Sequence, residues 1–455
     1  MKKKMITLLA ASTALVAPVA AQAQEDEISI LRAQVEMLQA QVDMLSNRLG
    51  EIEQEAETMQ AAVVVNATAI EATAAAFPPA AEDDGVSISF AGAPEIEAPG
   101  GWSFKPFGRL NIDAGTVNLP DALGRSEGFG NEMRRARIGM EGDIPGGFGY
   151  KFEVDFADGS AELTDALLTY ADDGVTLTVG HHNTFQGLEE LTSSRWSSFI
   201  ERAAFTDAFG FERRMGISAQ YSGGDVLLQA GVFTDNLGDL SNKNWSIDGR
   251  AVYSPKLGNT RLHLGGSVHL TELESGSTVR YRQRPLVHFT SERLINTGNI
   301  AAESEFGFGL EAAVIRGPFH AVGETFWQSV DLPVGPSPDF FGAYAEVGYF
   351  LTPGDSRGYK GGKFDRTRPA NPVGEGGIGA IQIVARFDHL DLTDGPFVGG
   401  SQDGYLASLV WVPTDYTRFM VNYGRLEYDN AIFTLPGGSA SFGADVFGVR
   451  GQVDF

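Results

Sequence analysis

The chain contains no cysteine, so neither a disulfide nor a thiolate metal site is open to it. Past its first two dozen residues it has no apolar run of about 18 residues, the length a spanning helix needs. Mean hydropathy is −0.10, and together these exclude a helical membrane protein. Positive charge is short: 34 Lys and Arg face 59 Asp and Glu, a net charge of −25, which argues against nucleic acid as the main partner. Catalytic signatures are missing too, with no G-x-S-x-G, H-E-x-x-H or Walker sequence, so no enzyme and no cofactor is expected. What the chain does have is 56 glycines and 10% aromatics, a composition suited to many short strands joined by tight turns.

The start of the chain reads as an export signal over residues 1–23. Lys2, Lys3 and Lys4 precede an apolar stretch from Ile6 to Val19, and Ala21-Gln22-Ala23 supplies a small-x-small cleavage site. Residues 24–64 read as a coiled coil. Ile28, Leu31, Val35, Leu38, Val42, Leu45, Leu49 and Ile52 recur at alternating spacings of 3 and 4, an unbroken heptad seam that Ala56, Met59 and Val63 continue. A seam needs partner helices, so an oligomer is expected. β-Branched residues at one seam position with Leu at the other favour two strands. Residues 65–101 read as an acidic, Ala- and Pro-rich linker, with Phe77-Pro78-Pro79 and Glu82-Asp83-Asp84. Residues 24–101 hold 15 acids against 2 arginines.

From Trp102 to Phe455 the pattern has period 2. Leu110, Ile112 and Ala114 alternate with Arg109, Asn111 and Asp113, and Phe152, Val154 and Phe156 with Lys151, Glu153 and Asp155. The set opposite the apolar one is charged in strand after strand, which suits a wet lumen inside and lipid outside. Sixteen strands are predicted, at 103–115, 132–144, 148–157, 163–171, 175–185, 213–222, 225–235, 245–254, 260–272, 305–316, 319–330, 340–352, 378–391, 403–412, 416–428 and 442–455. Tight turns such as Pro145-Gly146 and Asp172-Asp173-Gly174 alternate with long connections such as 186–212 and 273–304. One connection on the short-turn side, 353–377, is long. The final Phe455 closes an alternating strand, as a barrel-assembly signal would. The expected fold is therefore all-β, a 16-stranded antiparallel transmembrane β-barrel in the bacterial outer membrane, preceded by an α-helical coiled-coil segment in the periplasm.

Five stretches resemble the phosphate-selective porin O and P family: RRARIGMEGDI from Arg134, YKFEVDFA from Tyr150, GLEELTSSRWSSFIERA from Gly187, RYRQRPLVHFTSERLINTGNIAAES from Arg280 and GAYAEVGYFLTPGDSRGYK from Gly342. The resemblance covers residues 102–455. It implies a homotrimer, each barrel with its own pore narrowed by inward-folded loops and lined by bases for small anions. That trimer stands against the two-stranded coiled coil suggested by seam composition. The 187–203 stretch would be the constriction loop, with Arg195 and Arg202 opposed by Glu189, Glu190 and Glu201. Phosphate-specific members are expected to have lysines there. This loop has none, which leaves general anion preference as the expectation.

Two connections concentrate positive charge. One carries Arg280, Arg282, Arg284 and Arg293, the other Arg357, Lys360, Lys363, Arg366 and Arg368. In an extended segment, Arg280, Arg282 and Arg284 would share one face, a ladder of forks suited to phosphate or carboxylate oxygens. Pore lining is one reading of both loops. A surface that binds lipopolysaccharide phosphates, or plain solvation, is the other. Arg135 and Arg137 share parity opposite Ile138 and Met140 and should face the lumen, either towards passing anions or paired with Asp113 or Glu153. His181 and His182 are adjacent, so a strand would point them to opposite faces, and no metal site is expected. The alternative function is a non-selective general porin whose coiled coil tethers the outer membrane to the cell wall.

Overall fold

The computed structural model describes residues 85–455, apart from 158 and 235–242, and Gly50 before them. The expected signal peptide, coiled coil and most of the linker lie outside the described residues. Sixteen long strands follow in antiparallel order: β1 (Trp102–Asn118), β2 (Gly128–Ile144), β3 (Phe148–Asp155), β4 (Glu162–Asp172), β5 (Val175–Asn183), β6 (Arg213–Gly223), β7 (Val226–Thr234), β8 (Trp245–Tyr253), β9 (Thr260–Glu272), β10 (Ser304–Arg316), β11 (Phe319–Asp331), β12 (Asp339–Phe350), β13 (Ala380–Asp394), β14 (Phe397–Thr414), β15 (Thr417–Asp429) and β16 (Phe442–Asp454). β16 pairs back onto β1, from Asp445 opposite Asn118 to Asp454 opposite Arg109, so the sheet closes. Closure satisfies every strand edge in the wall, which hydrocarbon would otherwise leave without hydrogen bonds.

The period-2 pattern decides which way each residue points. Ile112, Ile138, Leu168, Ile217 and Leu264 stand exposed on the outside, while Asn111, Asp113, Glu153, Asp248, Arg250 and Glu311 are buried within. At the closing seam Arg450 of β16 grips Asp113 of β1 with two bonds, Nε–Oδ1 at 2.7 Å and Nη2–Oδ2 at 2.6 Å. The β4–β5 turn shows why Gly174 follows Asp173: both residues are left-handed, at φ 79° and 43°, and the twist of a tight hairpin requires this.

The structure departs from the sequence expectation in five places. β2 begins at Gly128, earlier than predicted, and β13 and β14 continue until only Gly395 and Pro396 join them. Residues 85–101, expected as linker, contain a hairpin of strands Ser87–Phe90 and Pro94–Ala98, the second paired with the start of β1. Val86, Ile88 and Phe90 alternate with serines there, a short signal masked by the neighbouring Pro and acids. His181 and His182 are both buried and line cavities inside the barrel. Gly180 between them and the preceding residues adopts φ 132°, a local break that overrides strict alternation. Finally, much of the lumen holds an apolar core. Phe205, Phe209 and Phe211 pack with Phe326, Phe340, Tyr344 and Tyr281, with Phe211 and Phe326 centroids 4.7 Å apart.

Candidate functional site

Three connections enter the lumen. The first is 184–212, carrying α1 (Leu188–Leu191) and α2 (Ala204–Ala208). The second is 273–303, from the same long-loop end. The third is 351–379, from the end that holds the tight turns, and it carries a small hairpin of Gly358–Lys360 and Lys363–Asp365. The wall of β11 to β15 pins the first of them by its backbone. Glu324 accepts the N–H groups of Leu188 (2.6 Å) and Glu189 (2.8 Å), together with the Tyr344 hydroxyl (2.6 Å). Asp388 accepts the Ala204 N–H at 3.0 Å and Asn422 that of Ile200 at 2.7 Å. Arg386 bridges Glu346, at 2.7 Å, and Glu189. Buried loop backbone must find such partners, and wall carboxylates supply them. The other two connections buttress the first. The Arg284 N–H donates to Asp207 at 3.3 Å, the Phe364 N–H donates to Thr192 Oγ1 at 3.3 Å, and the Arg366 guanidinium lies 4.3 Å over Trp196.

With β11 to β15 occupied, open space remains along β1 to β6. An outer cavity of about 290 Å³ and an inner chamber of about 370 Å³ meet at four shared residues, Arg137, Glu190, Arg202 and Arg213. The chamber in turn shares Lys151, Leu167 and Thr169 with a third cavity near the tight-turn end. The three cavities adjoin in series, the first two at the ring of four shared residues. Charge changes along it. Five bases and five acids line the outer cavity. Eight bases, Arg109, Arg135, Arg137, Lys151, Arg195, Arg202, Arg213 and Lys363, line the chamber against Glu153, Asp165 and Glu190.

Several of these cations are paired. Arg137 binds Asp155 at 2.6 Å and Glu153 at 3.1 Å. Lys151 and Arg213 share Asp165, at 2.8 and 2.6 Å. Arg109 contacts Glu153 at 3.2 Å and Ser194 Oγ at 2.7 Å. Arg202 binds Glu190 at 3.2 Å and donates to the carbonyls of Glu189, Glu190 and Thr192, so it also staples the end of α1. Arg135 differs: it is buried, and its Nε and Nη1 have no partner among the described residues. Arg195 and Lys363 have no carboxylate partner there either, and Arg195 stacks 5.0 Å over Trp196. Lys363 is open to lumen water yet enclosed by the wall. Desolvation, then neighbouring Lys151 and Arg250, lower its pKa to about 8. Burial raises the Glu190 carboxyl above its usual range, against the pull of Arg202.

Of the residues singled out in the sequence, Arg135, Arg137, Arg195, Arg202 and Lys363 meet in the chamber, and Arg284 lines the outer cavity. Arg280 and Arg282 are exposed on one face of their segment while Tyr281 and Gln283 are buried on the other. Arg293 lies among Arg280, Arg282 and Arg284, and burial followed by repulsion from Arg284 lowers it to about 10. Arg357 is buried 4.6 Å over Phe364, Lys360 is exposed, Arg366 binds Asp454, and Arg368 lies 3.8 Å from Asp415. Arg109, Arg134, Lys151 and Arg213 were missed. Arg109 and Lys151 were legible from parity alone, whereas Arg213 shares the parity of outward Met215 and Ile217 and still lines the lumen at the start of β6. Arg134 was not legible either: a bulge opposite Asn111 and Ile112 turns Arg134 inward beside Arg135, where it binds Glu201 at 2.9 Å. Among the described residues no cluster of His, Asp or Glu suits a metal ion.

Comparison with known proteins gives four findings. The family model described as phosphate-selective porin O and P matches residues 104–455. An uncharacterised protein of Caulobacter vibrioides is 44% identical over 475 residues, spanning 99% of this chain and 96% of the relative. Porin O of Pseudomonas aeruginosa is 28% identical over 384 residues, spanning 73% of this chain and 83% of its own. Among solved structures, the outer-membrane protein OmpT of Vibrio cholerae superposes with a TM-score of 0.50 at 12% identity, covering 78% of this chain and 98% of that one, a likeness of fold alone.

Proposed function

Because the chain belongs to the phosphate-selective porin O and P family, we propose that this outer-membrane channel passes small anions, phosphate among them, in preference to cations, and that it works as a homotrimer. No catalytic role is proposed. The observation that carries the reading is the chamber below the shared ring, with eight bases against three acids in a protein whose net charge is −25. Distant surface acids are screened within about 8 Å at physiological salt. A cation about 4 Å from a passing ion contributes roughly 1 kcal/mol even in bulk dielectric, and more in a confined lumen. Local charge therefore outweighs net charge. The arginines of the 280–293 segment would raise anion concentration at the mouth, and those of the 351–379 connection would act from the opposite side. Reversal potentials of the purified protein in a potassium chloride gradient test this. Anion-favouring potentials are expected, and cation-favouring ones would sink the reading.

One observation favours a second reading, a weakly selective general porin. Bases and acids are equal in number around the outer cavity, and the ring itself includes Glu190. On this reading the coiled coil adds a tether to the cell wall.

A further inference from the structure

We propose that the outward face of the 87–98 hairpin, together with the start of β1, is a contact surface for a second copy of this chain; this rests on the oligomeric reading above. The two faces of the hairpin differ. Ser103, Lys105 and Glu95 turn to the cavity at the tight-turn end, with Lys105 Nζ 3.0 Å from Glu95. The other face is apolar. Ile88, Ile96 and Phe104 stand in one cross-strand row, and Trp102 lies two residues from Phe104 on the same side of β1. Phe90 is 79% exposed and Ile88 65%, among the highest values for large apolar side chains in the described structure. The hairpin is firmly seated: its turn at Gly92 lies against Tyr416 and Phe455, so close that a Cβ there would fall 2.5 Å from the tyrosine ring. The exposed face is thus held in place.

Lipid is not the cover this face needs. Among the described residues Ser87–Phe90 pairs only with Pro94–Ala98, so its outer backbone edge is open. An open sheet edge does not occur in hydrocarbon, where each unpaired N–H and C=O costs several kcal/mol. The hairpin therefore sits outside the hydrocarbon, and its apolar face is left for protein. Sequence identifies the protein. The heptad spacing from Ile28 to Ile52 predicts a seam that needs partner helices, which identical chains would supply. Copies joined there present their hairpins to one another at raised effective concentration, so a small face suffices for docking.

The test places the photocrosslinker benzoylphenylalanine at position 90, replacing Phe90, in the full-length protein. A second variant places it at Ile88, and a control at Leu264 on the outside of β9. Native mass is measured first, then each sample is irradiated in lipid vesicles. Covalent dimers or higher adducts of the chain from position 90 or 88, with none from 264, support the proposal. An oligomer of intact native mass whose 90 and 88 variants label only lipid, or nothing, overturns it. A native mass of one chain shows instead that the oligomeric reading itself fails, and the hairpin contact falls with it.

Discussion

The eight bases of the chamber differ in how much field they leave for a passing ion. Arg109, Arg137, Lys151 and Arg213 each face a wall carboxylate and largely cancel with it. Arg135, Arg195 and Lys363 do not. Changing Arg135 and Arg195 together to Gln should therefore lower the chloride-to-potassium permeability ratio by about fivefold or more, for roughly 1 kcal/mol lost. Changing exposed Arg280 and Arg282 to Gln should have a smaller effect that fades as salt is raised, because mouth charges are screened. Equal effects from the two pairs would show that selection occurs at the mouth. Lys363 adds a pH signature. Its pKa is lowered from 10.5 to about 8, so it is charged at pH 7 and neutral at pH 9. Anion preference should fall as pH rises through that window. A Lys363→Met channel should start from the lower preference and show little change between pH 7 and 9; a fall as large as in the unaltered protein would exclude Lys363 as the titrating group.

At the scale of elements, the channel's width depends on how firmly the 184–212 connection is held to β11 to β15. Phe205 of α2 is the apolar part of that attachment. It packs on Phe211, Phe326 and Tyr344, and its Cβ lies 2.3 Å from where a side chain at Gly342 would begin. Phe205→Ala should weaken the packing by about 3–5 kcal/mol, the usual cost of such a truncation. The barrel's own hydrogen-bonded wall should persist, so single-channel recordings should show larger and noisier conductance with the thermal transition of the barrel little changed. Unchanged conductance would mean that Glu324, Asp388 and Arg386 hold the connection without the aromatic contact. The bulge at Arg134 works at the same scale: one extra residue in β2 places three of the four residues of RRAR inside the lumen.

At the scale of the whole molecule, barrel and N-terminal segment should separate cleanly. The outward apolar band starts at Trp102, and β16 pairs directly back onto β1. A chain lacking 24–64 but keeping the signal should insert in the outer membrane and conduct. Its native mass should become dependent on protein concentration, since the heptad seam is gone, and any binding to isolated cell wall should be lost. Failure to insert would show that the segment is needed for assembly.

Alternation is a local property, which is why so much of the barrel could be read from the chain alone. A period of 2 places neighbours on opposite faces whatever lies across the strand. Strand order, the outward apolar band and the inward cations at 109, 135, 137 and 151 follow from that period. Gly-rich turns mark most strand ends. Three things depended on contacts between residues far apart. Glu324 had to reach Leu188 before the 184–212 connection could be placed against one wall and the path along the other. The pairings of Arg137, Lys151 and Arg213, which separate neutralised cations from free Arg135, are set by partners one or two strands away. The bulge at Arg134 depends on register with β1, so no pattern within β2 announces it. Sequence by itself determined a closed sheet with a charged interior, because the faces of a strand are decided residue by residue. Where an ion can pass, and which charges it meets unpaired, was decided only when distant segments came to share the same lumen.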